Sequence, residues 1–253
     1  MKFTHYLALG DSISIDLYPS LDTNNTPDSK VGAASLLAKR LRETHNPALG
    51  FTNLTADGAR VPAICRQVEK ISTGAHGAGM LITLTAGGND ISFSAMEVDD
   101  DAEHWKDVRF ARIEREWSWL VAELIARFPE ATIIVNTLYD PTEGTGTFGG
   151  RGVAGAWEDI AELYSYGRGR LSEYITNAVA NITGTMKVNL LLADIRGAFK
   201  GHGVTASEED RWYYNRFMIE PNAEGARQIA GLWMDALQKK ALVEFAERVR
   251  THV

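Results

Sequence analysis

Short apolar runs alternate with longer amphipathic segments along most of this chain. Five runs have the composition of strands: Tyr6–Leu9, Phe51–Leu54, Met80–Thr85, Ala131–Thr137 and Lys187–Ala193. Apolar residues recur at helical spacing in the segments between and after them: Gly32–Thr44, Val61–Ile71, Val108–Phe128, Trp157–Ile182 and Pro221–Val249. Strands that alternate with helices of this length form βαβ units. The alternation therefore predicts an α/β fold with a five-stranded parallel sheet and helices on both faces.

Nothing in the sequence divides the chain into parts. Its 253 residues suit one large α/β domain, and we find no internal repeat, low-complexity segment or linker. The glycine-rich segment from Glu143 to Gly155 is predicted to be an irregular loop inside that domain. We therefore expect residues 1–253 to form a single doubly wound domain.

Charge and cysteine content exclude several classes of protein. A net charge of -7 argues against a nucleic-acid partner, because binding phosphates requires clustered basic side chains. Cys65 is the only cysteine, so no intramolecular disulfide can form, and we expect a cytoplasmic location. The sequence shows no signal-peptide pattern and no apolar run of about 18 residues, so it predicts no membrane span.

The first predicted strand ends in a turn that places a serine at the edge of the sheet. Gly10 follows the strand directly and permits a sharp change of direction, and Asp11 and Ser12 follow it. Open α/β sheets bind ligands at the carboxyl ends of their strands. Ser12 is therefore a candidate nucleophile, although a serine after a strand also commonly caps a helix.

Gly58 and Asn89 follow two other predicted strands and are expected at the same edge of the sheet. A backbone N–H at Gly58 and the side-chain amide of Asn89 are both suitable donors to an oxyanion. A plain turn glycine and a helix-capping asparagine are the alternative interpretations. The combination of Ser12, Gly58 and Asn89 after successive strands favours the catalytic one.

These residues carry a resemblance to the SGNH (GDSL-type) hydrolase family. Gly10-Asp11-Ser12 matches the first sequence block of that family, Gly58 the glycine of the second, and Gly87-Gly88-Asn89-Asp90 the third. The resemblance implies a three-layer αβα, flavodoxin-like fold with strand order 2-1-3-4-5. It also implies that Ser12 is the nucleophile and that Gly58 and Asn89 form the oxyanion hole.

The fourth block departs from the family pattern. Family members carry Asp-x-x-His-Pro-Asn-x-x-Gly here, and the Asp and His complete the triad. In this chain Pro221, Asn222 and Gly225 align with the block, but Glu220 stands at the histidine position and Phe217 at the aspartate position. The chain also resembles a subgroup of SGNH-like proteins that carries Ile-Glu-Pro at this point.

Three hypotheses account for the missing histidine. In the first, Glu220 is itself the base, which requires burial to raise its pKa from about 4.3. In the second, His202 from the preceding connection is the base, and Glu220 orients it. In the third, catalysis has been lost and the pocket only binds a ligand.

The remaining expectations concern the surroundings of the site. Asp11 is expected to support the nucleophile turn by accepting backbone N–H groups and to contact substrate. Trp212 is expected to line a substrate groove. The sequence contains no Cys/His ligand cluster, so we expect no metal and no cofactor.

The leading hypothesis is a serine esterase of SGNH type that acts on a small or acylated ester. Its predicted catalytic residues are Ser12, His202 and Glu220, with Gly58 and Asn89 as the oxyanion hole. The alternative hypothesis is an inactive protein of the same fold that binds an acylated or glycan ligand.

Overall fold

The computed structural model describes residues 3–23, 29–71, 79–98, 105–149, 154–214 and 218–251. Five parallel strands form one sheet in the order β2-β1-β3-β4-β5. The strands are β1 (His5–Leu9), β2 (Gly50–Asn53), β3 (Met80–Leu84), β4 (Thr132–Asn136) and β5 (Asn189–Ala193). The order confirms the predicted parallel, flavodoxin-like sheet.

Helices cover both faces of the sheet. The helices of the described residues are α1 (Leu17–Asp22), α2 (Ala33–Thr44), α3 (Val61–Glu69), α4 (Gly88–Met96), α5 (Phe110–Arg127), α6 (Ala154–Asp159), α7 (Ala161–Thr185), α8 (Ile195–Phe199) and α9 (Ala223–Thr251). Helices α1, α2 and α9 pack together in one layer, and α3, α4, α5 and α7 pack in the other. The three-layer architecture is thus confirmed.

The three inner strands are buried because apolar β-branched and leucine side chains occupy both of their faces. Every residue of β3 and β4 is buried, as expected for parallel strands covered on both sides. Leu9 of β1 pairs with Leu84 of β3. The two strands therefore end side by side, and the loops that follow them leave the sheet at the same edge.

Three short helices, α1, α4 and α8, lie outside the helical segments predicted from the sequence. Helix α4 begins at Gly88, where only a turn is predicted, because its Gly, Asn and Ser residues have weak intrinsic helix propensity. Burial of Ile91 and Ala95 stabilises it instead. The predicted helix Trp157–Ile182 is interrupted at Ile160, which separates α6 from α7.

None of the helices in the described parts of the chain combines the length and the apolar character needed to cross a bilayer.

Candidate active site

The candidate nucleophile Ser12 lies on a sharp turn directly after β1. Gly10 opens the turn with a φ of 130°, and a Cβ atom at this position would overlap the carbonyl oxygen of Thr85. Glycine satisfies both constraints because it has no side chain. The Thr85 hydroxyl accepts the Asp11 N–H at 3.0 Å, which ties the loops after β1 and β3 together. Ser12 is 4% exposed in the short 3-10 turn Ser12–Ser14.

Asp11 stabilises the same turn through its own side chain. Its Oδ1 accepts the Ile13 N–H at 3.2 Å, which is the supporting role expected of it. The residue is 1% exposed, and burial raises its pKa. Its expected contact with substrate stays a prediction.

The side chain that contacts the Ser12 hydroxyl is Glu220. A short antiparallel pairing between Tyr213 and Pro221 holds this part of the backbone, and the Tyr214 N–H donates to the Glu220 carbonyl at 2.7 Å. The Ser12 side chain acts on the Glu220 carboxylate and favours its ionised form. Nucleophile and carboxylate therefore meet although they lie near opposite ends of the chain.

Burial dominates the electrostatics of Glu220 and raises its pKa to about 8. The Ser12 side chain and the charge of Arg168 lower this pKa, whereas the charges of Asp11 and Asp57 raise it. The Oε2 atom is enclosed and has no hydrogen-bond partner among the described residues. A carboxyl group with a pKa near the working pH is able both to accept and to return a proton.

Gly58 lies in an exposed turn beside the nucleophile loop. Its φ of 66° falls in the left-handed region, and the turn is closed by the Ala59 N–H, which donates to the Ala56 carbonyl at 3.2 Å. The Ala56 N–H donates to the Gly10 carbonyl at 3.0 Å, which connects this turn to the turn that bears Ser12.

Asn89 lies in the first turn of α4, next to the same segment. Its Nδ2 donates to the Ala59 carbonyl at 3.1 Å. The next residue, Asp90, accepts the Val61 N–H with both carboxylate oxygens, at 3.2 and 3.1 Å. Burial raises the pKa of Asp90 to about 6. The two predicted oxyanion-hole residues, Gly58 and Asn89, are therefore linked through the segment that joins β2 to α3.

His202 lies against an aromatic ring. Its ring stacks on Trp212, with centroids 3.5 Å apart and planes 7° from parallel. Its Nδ1 lies 2.8 Å from the Asp210 carbonyl oxygen. The contacts described for His202 are with Trp212 and Asp210, and its predicted pairing with Ser12 stays a prediction. The left-handed Gly201, with a φ of 89°, turns the loop so that the ring packs on tryptophan.

Trp212 packs between two rings and is partly buried. One is the His202 ring, and the other is Phe199, which meets Trp212 edge-on at 5.1 Å. Its expected role in substrate binding stays a prediction. Phe217, at the family's aspartate position, lies outside the described residues.

Sequence reasoning missed Tyr18 and Arg168, whose charges or hydrogen bonds act on Glu220 or its neighbours. Tyr18 donates a hydrogen bond to Asp57 Oδ2 at 2.9 Å, and its ring lies 6.0 Å from that of Tyr214. Arg168 is buried at 3% exposure within α7. A charged residue at a core-facing position between two glycines, Gly167 and Gly169, was the signal available for Arg168.

Among the described residues, no group of three or more His, Cys, Asp or Glu side chains is arranged to hold a metal ion. The acidic run at positions 99–101 lies outside those residues.

Comparison with known proteins identifies the fold. No protein-family model matches the sequence, and no curated protein matches it.

Solved structures do match. An extracellular lipase from Streptomyces rimosus shares 19% identity with a TM-score of 0.61, over 92% of this chain and 99% of that one. The lipase Lip_vut3 from a goat rumen metagenome shares 16% identity with a TM-score of 0.64, over 92% and 96%. The acetylxylan esterase Axe2 from Geobacillus stearothermophilus shares 16% identity with a TM-score of 0.58, over 93% and 94%. As its resemblance to the SGNH family predicts, this chain has the fold of lipases and acetyl xylan esterases.

Proposed function

We propose that this protein is a serine ester hydrolase of SGNH type in which Glu220 is the base for Ser12. The observation that carries the proposal is the buried Glu220 carboxylate, on which the Ser12 side chain acts directly. Of the three hypotheses for the missing histidine, the one with Glu220 as base fits this observation. The hypothesis with His202 as base does not, because His202 packs on Trp212.

The proposed reaction proceeds through an acyl-enzyme. Ser12 Oγ attacks the ester carbonyl carbon while its proton passes to Glu220. The N–H groups of Gly58 and Ser12 and the amide of Asn89 stabilise the resulting oxyanion. The intermediate expels the alcohol, which takes the proton back from Glu220. Water then attacks the acyl-Ser12 ester with the same assistance from Glu220 and releases the carboxylic acid.

A carboxylate is a useful base here because its pKa is raised to about 8. At pH 7 about a tenth of such a group is ionised, since one unit of pKa corresponds to a tenfold change. An ionised Glu220 is a stronger base than an ordinary glutamate. The rate depends on the ionised fraction multiplied by this base strength, and that product is favourable near neutral pH. We therefore expect the rate to rise with pH through about 8.

The substrate class rests on the shared fold and on the serine site. The similar structures include lipases and an acetylxylan esterase, which supports a small or acylated ester as substrate. The cytoplasmic location expected from the single cysteine belongs to the same proposal, although the lipase from Streptomyces rimosus is extracellular. Fractionation of the native host checks the location.

Hydrolysis of p-nitrophenyl esters of increasing acyl length tests the reaction. We expect activity in the wild-type protein, and a loss of at least about a hundredfold in Ser12→Ala and in Glu220→Gln. His202→Ala is the matched control, and we expect its rate to stay within about threefold of the wild type. If His202→Ala is as inactive as Glu220→Gln, Glu220 is not the only base and the proposal is wrong.

Labelling by a fluorophosphonate probe separates this proposal from the binding-protein hypothesis. A catalytic Ser12 is expected to react with the probe, and Ser12→Ala is expected to abolish the label. A wild-type protein that neither reacts with the probe nor hydrolyses any ester in the series contradicts the proposal.

A further inference from the structure

Arg168 is a buried cation beneath the candidate site. It lies on α7, and its Nη1 donates to the Tyr139 carbonyl at 3.0 Å. Its guanidinium carbon lies 4.2 Å from the centroid of the Tyr164 ring and 5.2 Å from that of Tyr139. Its Nε atom is enclosed and has no hydrogen-bond partner among the described residues. Burying a guanidinium is costly unless nearby groups compensate its charge.

The third sequence block is shaped around this guanidinium. A Cβ atom at position 88 would lie 3.1 Å from Arg168 Nη2. Gly88 therefore leaves the space that the guanidinium occupies, directly before the candidate oxyanion residue Asn89. This contact explains why the second position of the Gly-Gly-Asn-Asp block is a glycine.

Tyr139 connects Arg168 to the backbone that carries Glu220. Its hydroxyl donates to the Ile219 carbonyl at 2.7 Å. The Tyr139 ring stacks on Phe199 at 5.1 Å, with planes 15° apart, which fixes its position. Tyr139 thus contacts the guanidinium through its backbone carbonyl and its ring. Its hydroxyl contacts the carbonyl of the residue before Glu220.

Arg168 is a cation that acts on Glu220 alongside several acidic groups. The charged and titratable groups that act on Glu220 include Asp11, Tyr18, Asp57, Tyr139, Tyr164 and Arg168, together with the Ser12 hydroxyl. The two aspartates disfavour an ionised Glu220, and the guanidinium favours it.

We propose that Arg168, coupled to the Glu220 backbone through Tyr139 and accommodated by Gly88, is the positioning residue that prepares Glu220 to act as the base for Ser12. Arg168 acts through Glu220 and does not touch the substrate. This inference rests on the proposed function, because it concerns the base of that same reaction.

The test compares pH profiles of kcat/KM for hydrolysis of p-nitrophenyl acetate. The main variant is Arg168→Gln, which removes the charge but keeps a donor for the Tyr139 carbonyl. Arg168→Lys keeps the charge and is its matched control. Removal of a nearby charge commonly moves a pKa by one unit or more, so we expect the inflection of Arg168→Gln to move to higher pH. The rate below the inflection should fall by roughly tenfold, and the alkaline plateau should stay within about threefold.

Arg168→Lys is expected to keep the inflection near that of the wild type. If Arg168→Gln lowers the rate equally at every pH, or leaves the inflection in place, the role is structural only and the inference is wrong. Circular dichroism checks that each variant is folded. Should Arg168→Gln fail to fold, Gly88→Ala displaces the guanidinium without removing it, and an unmoved inflection in that variant overturns the inference.

Tyr139→Phe tests the connection between Arg168 and the backbone that carries Glu220. It removes only the hydroxyl that holds the Ile219 carbonyl, and we expect kcat to fall by roughly tenfold with KM little changed. Tyr213→Phe is the control, because the Tyr213 hydroxyl is buried without a hydrogen-bond partner among the described residues. Equal effects of the two substitutions would contradict a specific role for Tyr139.

If the wild-type protein shows neither hydrolysis nor fluorophosphonate labelling, the proposed function fails, and that result is distinct from an active enzyme with an unmoved inflection.

Discussion

Glu220 combines its proposed role as a base with a cost to the stability of the protein. Burial disfavours its ionised form and raises its pKa from 4.5 to about 8. Between these values the folded protein retains a proton that the unfolded chain has released. A rise in pH through this window therefore lowers the free energy of unfolding. The same desolvation that strengthens Glu220 as a base makes it a destabilising residue at alkaline pH.

Glu220→Gln removes that pH-dependent cost. At pH 9 we expect its free energy of unfolding to exceed that of the wild type by roughly 1–3 kcal/mol. At pH 4 the two proteins should differ little, because the carboxyl is protonated in both states. Urea unfolding at the two pH values measures the difference. Glu43→Gln, an exposed position on α2, is the control and should show no such pH dependence.

Gly10 and Gly58 differ in what surrounds them, although both have positive φ. At Gly10 a Cβ atom would overlap Thr85 backbone, whereas at Gly58 it would meet nothing within 4 Å. We expect Gly10→Ala to lower the free energy of unfolding by about 3 kcal/mol and to abolish activity. Gly58→Ala should cost about 1 kcal/mol and keep most activity, because its N–H remains in place. Thermal unfolding and esterase assays compare the two, and equal destabilisation would contradict this account.

At the scale of elements, the site depends on how closely α4 packs against α7. Gly87 starts the turn into α4 with a φ of 102°, and a Cβ atom there would lie 2.6 Å from Leu171 of α7. On the facing helix, a Cβ atom at Gly167 would lie 2.7 Å from Ile91. Glycines on both helices therefore permit the close approach that brings Asn89 to the edge of the sheet.

Alanine substitutions along α7 test this packing. Gly167→Ala is expected to destabilise the protein by about 1–3 kcal/mol, because Ile91 and Trp105 occupy the space beside it. Gly184→Ala, in the last turn of the same helix, meets nothing within 4 Å. It should stabilise the protein by up to about 1 kcal/mol through higher helix propensity. Denaturant unfolding of both variants gives the sign, and a stabilising Gly167→Ala would contradict close packing.

At the scale of the whole molecule, a buried polar chain joins the last helix to the sheet. The Trp233 Nε1 on α9 donates to Asn136 Oδ1 at 2.7 Å. Asn136 Nδ2 in turn donates to the Leu84 carbonyl at 2.8 Å. The chain crosses from α9 through β4 to β3.

Trp233→Phe leaves the buried Asn136 Oδ1 without its donor. We expect this to lower the free energy of unfolding by roughly 1–3 kcal/mol while the pH profile of the reaction stays unchanged. Trp119→Phe, at a position that is 57% exposed, should change stability by less than about 0.5 kcal/mol. A shifted pH profile in Trp233→Phe would show that α9 influences Glu220 directly.

Patterns that repeat locally were predictable, and they account for most of the fold. The apolar runs predicted the buried inner strands β1, β3 and β4, because buried parallel strands are apolar on both faces. The weakly helical segment Gly88–Met96 was not predicted, since burial of Ile91 stabilises it and no local pattern reports that burial. The turn at Ser12 was predictable because a glycine directly after an apolar run commonly ends a strand in a sharp turn.

The sequence by itself determined the order of layers, the serine turn and the absence of the expected histidine at position 220. Only the tertiary structure decided which side chain contacts Ser12. It placed Glu220 where the Ser12 side chain acts on it, stacked His202 on Trp212 and buried Arg168. The physical reason is that strand and turn formation depend on neighbours in sequence. The partner of a buried hydroxyl and the pKa of a buried carboxyl depend on groups that meet only after the chain has folded.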